Sequence, residues 1–431
     1  MQGWKCLCRI VAKYCFKCWG MREGGELLIY RIGQLTPQER ENVTQKHQKE
    51  RFYTIVALNF RLGPVFFHCK FPSHRFVRYY SLLFHPISPT LPHLPLQMNI
   101  AITGATGFIG RYAALALARE GHKIRVLTRP GREGAVPHPE DNGGKGHFEV
   151  FTGDLTSKDS LKGFMEDQDM LLHLASAHDH LPDEEMRAVT VAGSEALVDE
   201  AIRANKKRDR IQMWIMSSAV IGAPVYSYYR DTKRIQEKIF KGSGFEWTSF
   251  RPTLVYGVGD YRHTATIMRK CAAKGGRMTI PHSGRSRINP VHVDDVVDCV
   301  LRKIGYDKQV DCIYELAGPN GIAYNQFIDY TIAATGGTVR RRNIPKRWAD
   351  LAIAMKGLFT DVTDQRRASA YFLLHHEHDI TNARVELGWE PRTYEQGIKD
   401  CAGVSDWWKY ETEEAALAAG VEVPIGRTAL K

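Results

Sequence analysis

The stretch NIAITGATGFIGRYAALALARE, Asn99 to Glu120, restricts the fold more than any other part of this chain. A short apolar run ends in a turn with glycines at 104, 107 and 110, and an alanine- and leucine-rich segment of helical period follows. Gly104 permits a sharp strand-to-helix turn, Gly107 lets the backbone approach a pyrophosphate, and Gly110 lets the helix pack close to the strand. The exposed amides at the start of that helix then suit phosphate. The spacing G-x-x-G-x-x-G has this meaning because a strand precedes it and a helix follows.

From Met98 onward the pattern repeats. MNIAIT, KIRVLT, FEVFTG, DMLLHLA, IQMWIMSS and EWTSFRPTLVYG are strand-like, with helical stretches such as IGRYAALALARE and VTVAGSEALVDEAIRAN among them. Alternation at this spacing predicts an α/β fold, a Rossmann-type doubly wound parallel sheet covered by helices on both faces. Residues 136–147 read as a Gly/Pro-rich surface loop. Beyond about Tyr256 the elements shorten, so residues 98–256 are expected to form the nucleotide-binding domain. Residues 257–431 are expected to form mainly a smaller substrate-binding lobe, with segments returning to the sheet. In NPVHVDDVVDCVLRKI, Asp294 or Asp295 is expected to cap a helix.

The net charge of +11 is concentrated at the front. Residues 1–97 hold 14 Lys and Arg against five Glu, so the remaining chain is nearly neutral and a nucleic-acid partner is not expected. The front also carries Cys6, Cys8, Cys15 and Cys18, but the second half of a zinc module is missing and no metal is expected. Its acidic residues and the lack of a clear apolar face argue against a mitochondrial transit peptide. It reads as a basic, poorly ordered extension joined through the proline-rich HPISPTLPHLPLQ, with Met98 as the functional beginning. Cys271, Cys299, Cys312 and Cys401 are scattered, which fits a reducing, cytoplasmic setting, with organellar targeting by the front segment as the alternative. No run approaches the roughly 20 apolar residues of a membrane span.

About 20 residues after the glycine turn, an NAD site carries an acid for the ribose 2′-hydroxyl. Here the chain reads VLTRPGR, with Arg129 at the end of the strand and Arg132 nearby. A guanidinium binds a 2′-phosphate through paired hydrogen bonds where a carboxylate would repel it. The expected cofactor is therefore NADP, with NAD as the alternative.

Tyr229 and Lys233 stand at i and i+4 in YYRDTKRIQEKIF, on one face of a predicted helix. A phenol near pKa 10 is a poor proton carrier at neutral pH, and a neighbouring ammonium lowers it. Tyr226 and Tyr228 have no lysine four residues on. Upstream, Ser217 and Ser218 end a hydrophobic strand at its carboxyl edge, where open α/β sheets build their sites.

Together these segments resemble the extended short-chain dehydrogenase/reductase superfamily in its epimerase/dehydratase-like branch, over about 70% of the chain. The resemblance implies that Gly104, Thr106, Gly107, Phe108, Ile109 and Gly110 belong to the cofactor-binding turn. It also implies adenine contacts at Asp154 and Leu155 of TGDLT, a cofactor loop at Leu174 and Ala175 of LHLAS, and nicotinamide contacts at Pro252 and Val255 of FRPTLVYG. Tyr229 would be the proton donor and acceptor, Lys233 its activator and a ribose contact, and Ser217 the third member of the triad, with Ser218 as competitor. Only 12 residues separate Ser217 from Tyr229, as in atypical, shortened members. Sugar-nucleotide enzymes place an arginine seven residues before the second Asp of the VDD motif; here that position is Ile288, with Arg285 and Arg287 displaced.

The activity implied is hydride exchange between a nicotinamide and a carbonyl or secondary alcohol of a small or medium organic substrate. The alternatives are an epimerase or dehydratase with transient hydride transfer, and a non-catalytic NADP-binding scaffold or regulator. The protein would act as a monomer or homodimer.

Overall fold

A computed structural model describes residues 27–30, 54–60, 63–69, 97–138, 146–177, 181–205, 211–306, 311–358, 360 and 377–423. The clustered cysteines at positions 6, 8, 15 and 18 and most of the 136–147 loop lie outside the described residues. The chain divides into two units, Met1–Thr90 and Leu91–Lys431. In the first, β1 (Leu27–Tyr30) and β2 (Thr54–Phe60) each pair antiparallel with β3 (Gly63–Cys69).

The second unit is built on a seven-stranded sheet. Its strands are β4 (Asn99–Thr103), β5 (Lys123–Thr128), β6 (His147–Thr152), β7 (Met170–His173), β8 (Gln212–Met216), β9 (Glu246–Pro252) and β14 (Cys312–Leu316). Their order is β14-β9-β8-β7-β4-β5-β6, and every pairing is parallel. The order reverses between β4 and β7, and there the carboxyl ends of the strands open a crevice suited to a dinucleotide. The central strands β4, β7 and β8 read as continuous apolar runs because both of their faces are covered. Ile100, Ile102, Val126 and Leu172 are all fully buried, each contributing about 1.5–3 kcal/mol through removal from water.

Helix α1 (Phe108–Arg119) buries every residue from Tyr112 to Ala118. Its alanines let the sheet approach on one side and α5 (Val293–Ile304) on the other. Helix α2 (Gly193–Ala204) and α3 (Tyr228–Lys241) belong to the opposite face, where Leu197, Ala201 and Phe240 join Leu171, Met213 and Ile215 of the sheet. The expected cap of α5 differs from the structure. His292 is the N-cap, its Nδ1 accepting from the Asp294 amide at 3.2 Å, and both acids fall in the first turn. Asp295 is used instead as a tether: its carboxylate accepts from the Arg392 amide at 2.9 Å and from its Nε at 3.0 Å, and its carbonyl accepts from the buried Trp389 indole at 2.7 Å.

Three short pairings form the smaller lobe's framework. They are β10 (Val255–Tyr256) with β13 (Val291–His292), β11 (Arg277–Ile280) with β16 (Arg340–Asn343), and β12 (Arg287–Ile288) with β15 (Ile322–Ala323). Around them, α4 (Thr264–Ala272), α6 (Tyr324–Thr335) and α9 (Tyr394–Val404) enclose a second core that includes Met268, Phe327, Ile398 and Trp407. Helix α7 (Lys346–Lys356) buries no residue, whereas α8 (Thr381–Leu387) adds Ala383 and Leu387 to the core beneath the sheet.

Candidate active site

The glycine turn closes through a Gly107 N–H donated to the Gly104 carbonyl at 3.0 Å. Gly104 adopts φ +77°, and a Cβ there would lie 2.6 Å from the Ala175 nitrogen. A Cβ on Gly110 would lie 2.1 Å from the Gly104 carbonyl oxygen. The turn, α1 and the loop after β7 are thus as close as three backbones can be. The first turn of α1 carries no acid and its N-cap makes no side-chain bond, so its leading amides are not claimed by a carboxylate. These features fit the diphosphate of a dinucleotide.

At the end of β5, Arg129 and Arg132 are joined by a turn in which the Arg132 amide donates to the Arg129 carbonyl at 3.0 Å, and both side chains are exposed. Asp154 follows the neighbouring strand β6. Burial would raise its pKa, but the Thr156 amide and hydroxyl, at 2.8 and 2.7 Å, and the charge of Arg129 outweigh this and hold it below the usual range. Leu155 is buried against Gly193 at the start of α2. Leu174 and Ala175 are half-buried beside the glycine turn, Pro252 ends β9 within the sheet, and Val255 lies on β10.

Ser227 caps α3 by accepting from the Arg230 amide at 3.1 Å, and this sets the helix phase that brings Tyr229 and Lys233 together. The Lys233 ammonium stands 6.0 Å from the centre of the Tyr229 ring. Lys233 is only 2% exposed, and burial lowers its pKa to about 7 despite the opposing charge of Glu237. Its Nζ donates to the Met216 carbonyl at the end of β8 and to Gln236 Oε1, both at 3.0 Å.

The two serines separate by role. Ser218 caps the helical turn Ala219–Gly222, accepting from the Val220 amide. Ser217 is buried beside the Glu237 carboxylate, which Ser249 at 2.6 Å and Arg251 at 2.6 and 2.8 Å engage, and its own hydroxyl meets no hydrogen-bond partner among the described residues. Burial would raise the Glu237 pKa, and Arg251 and Ser249 outweigh this and bring it below the ordinary value.

A chain of buried polar groups missed by sequence reasoning supports this site. Because Gln236 Oε1 accepts from Lys233, its amide nitrogen is turned to His173 Nε2, at 3.0 Å. An amide nitrogen only donates, so Nε2 accepts and the imidazole proton sits on Nδ1, donated to Thr103 Oγ1 at 2.6 Å. Thr103 Oγ1 also accepts from the Ala175 amide at 3.2 Å, and Ser194 lies 3.3 Å from His173 Nε2. Burial, with Lys233 nearby, lowers the His173 pKa to about 3, so it stays neutral and its tautomer is fixed. The network ties the glycine turn on β4, the loop after β7 and the Tyr229 helix into one unit. Its signal in the sequence is the polar His173 within the apolar LLHLA and a glutamine three residues after Lys233. Replacing Gln236 with leucine removes one hydrogen-bond partner from each of the buried Lys233 and His173. The expected result is a loss of about 2–3 kcal/mol in chemical denaturation, since each is left buried with one hydrogen bond unmade.

Beside Val255 lies a cleft of about 240 Å³. Tyr256, Tyr324, Phe327 and Tyr394 line it, and the exposed Arg262 and Lys270 stand among its walls.

Sheet order and glycine turn are those of the Rossmann-like fold of the extended short-chain dehydrogenase/reductase class. The chain belongs to the NAD dependent epimerase/dehydratase family, whose model matches residues 100–317, half of its length. It is 32% identical over 200 residues to a ceramide reductase of Caulobacter vibrioides, a match covering 46% of this chain and 57% of that protein. A ketoreductase of Aspergillus fumigatus is 23% identical over 351 residues, covering 70% of this chain and 95% of that protein. The fold is shared with the UDP-glucose 4-epimerase of Thermotoga maritima, at TM-score 0.55 and 19% identity, covering 71% and 97% of the two chains.

Proposed function

We propose that this protein is an NADP-dependent reductase or dehydrogenase of a carbonyl or secondary alcohol. The observation that carries the reading is the buried Lys233 ammonium against the Tyr229 ring, at the carboxyl edge of β8. When bound, the nicotinamide supplies or accepts the hydride. Tyr229 gives its phenolic proton to the developing alkoxide in reduction and takes it back in oxidation. Lys233 favours the phenolate electrostatically and is held for that task by Met216 and Gln236. Ser217, or Ser218, orients the substrate oxygen. Incubation with NADPH and a panel of ketones and aldehydes tests this reading: stoichiometric NADPH loss is expected, and turnover without it would overturn net reduction.

The preference for NADP rests on Arg129 and Arg132 at the end of β5, where no acid stands. Arg129→Asp is expected to lower NADPH affinity by roughly a hundredfold, as one bidentate phosphate contact is worth about 2–3 kcal/mol. An unchanged ratio of NADPH to NADH affinity, measured by fluorescence titration, would show that Arg129 does not read the 2′-phosphate.

The cleft beside Val255 supports a substrate with an apolar or aromatic body and an anionic end. The named activities of the ceramide reductase and the ketoreductase favour net reduction over epimerisation. The sugar-nucleotide reading is further weakened at Ile288 of β12, which pairs with Ile322 of β15, while Arg287 is engaged by the Gly321 carbonyl and Glu377.

A further inference from the structure

Helix α7 is turned inside out. Its half-buried positions are Ala349, Asp350 and Ile353, whereas Trp348, Leu351 and Met355 are 55%, 48% and 59% exposed, and Leu358 just beyond is 76% exposed. Positions 348, 351, 355 and 358 fall within about a quarter of the helical circumference at 3.6 residues per turn, so they form one apolar stripe facing solvent. Ordinary surface helices place such a stripe inward.

The surroundings of the stripe are basic. Residues 340–358 contain Arg340, Arg341, Arg342, Lys346, Arg347 and Lys356 against the single acid Asp350, whereas the whole chain after Gln97 is nearly neutral. Asp329 pairs with Arg341 and Asp350 with Lys346. Arg277 and Arg340 are exposed partners in the register of β11 and β16, so like charges stand side by side. Such a pairing is unfavourable in isolation and is relieved by an external anionic surface.

We propose that α7 and the β16 arginines dock the protein on an anionic phospholipid surface. The stripe enters the acyl boundary, Trp348 sits at the headgroup level, and the basic strand meets the headgroup phosphates. A helix of this length lying in the interface plane, with cations beside an exposed Trp and leucines, has the composition of monotopic membrane helices. No helix among the described residues is long and apolar enough to cross a membrane, so attachment would be peripheral. The proposal does not depend on the reductase reading.

The test is co-sedimentation of the full chain with vesicles of phosphatidylcholine alone or mixed with phosphatidylglycerol. Partition is expected to favour the mixed vesicles and to weaken with salt. The basic residues 1–97 can also attract such vesicles, so the decisive variant alters no charge. Trp348→Ser, Leu351→Ser and Met355→Ser combined should lower partition about tenfold or more while leaving the circular-dichroism melt unchanged. Arg340→Gln with Arg342→Gln should lower binding to mixed vesicles only. Absence of wild-type binding, or equal partition of the triple serine variant, overturns the proposal. Self-association that the same variant abolishes, without vesicle binding, also overturns it and assigns the stripe to a second copy of the chain.

Discussion

Replacing Tyr229 with phenylalanine is expected to lower kcat by about a thousandfold, the usual worth of a positioned general acid or base. NADPH affinity should change little, because the phenol oxygen is removed while the ring beside Lys233 stays. Turnover near the wild-type rate would refute the assignment of the proton to Tyr229. The pH dependence supplies a second readout. With burial lowering Lys233 to about 7, its ammonium is present below that pH and is lost above it. The phenol then loses the charge that assists proton transfer, so kcat/KM for reduction should fall on the alkaline side with an apparent pKa near 7. In Tyr229→Phe this limb should vanish with the activity it controls.

The second large effect is expected at Gly110. A Cβ there would meet three backbone atoms, the Gly104 carbonyl oxygen at 2.1 Å, its carbon at 2.7 Å and Ala105 Cα at 2.9 Å. Backbone cannot rotate away as a side chain can, so α1 or the turn must move. Gly110→Ala should cost about 1–3 kcal/mol of stability, the usual range for overpacking. It should also weaken NADPH binding by more than tenfold, because the displaced atoms belong to the turn proposed to cradle the phosphates. Calorimetry and fluorescence titration measure the two effects. Gly222→Ala is the control: nothing lies within 4 Å of its added Cβ, and it should stay within about 0.5 kcal/mol of wild type. A Gly110→Ala protein as stable and as tight-binding as this control would contradict the packing described for the turn.

Much of the fold is legible in local pattern. The runs NIAIT, MLLH and QMWIM are apolar without alternation because the central strands of a doubly covered parallel sheet meet helices on both faces. The glycine turn is equally plain, since Gly104 and Gly110 answer to steric demands that no other residue meets. Tyr229 and Lys233 could be paired because helical spacing alone places them on one face.

Other parts of the candidate site were not legible. His173 reads as one polar letter in an apolar strand, and its partners Thr103, Ser194 and Gln236 come from three distant segments. The capping of α5 by His292 rather than by Asp294 or Asp295 follows from Arg392, which draws Asp295 across nearly a hundred residues of chain. Ser217 and Ser218 are adjacent in sequence, yet one is buried with its hydroxyl unpartnered among the described residues while the other caps a turn. Periodicity carries no information about such choices.

What the sequence by itself determined was the α/β class, the tight glycine turn and the proximity of Tyr229 to Lys233 on one helix face, because each depends on contacts within about 20 residues or on steric needs unique to one residue type. Only the tertiary structure decided how Lys233 is held and desolvated, which tautomer His173 keeps, and which face of α7 looks outward. Those properties depend on burial and on partners brought together from remote segments, and burial is set by the assembled fold rather than by any window of the chain.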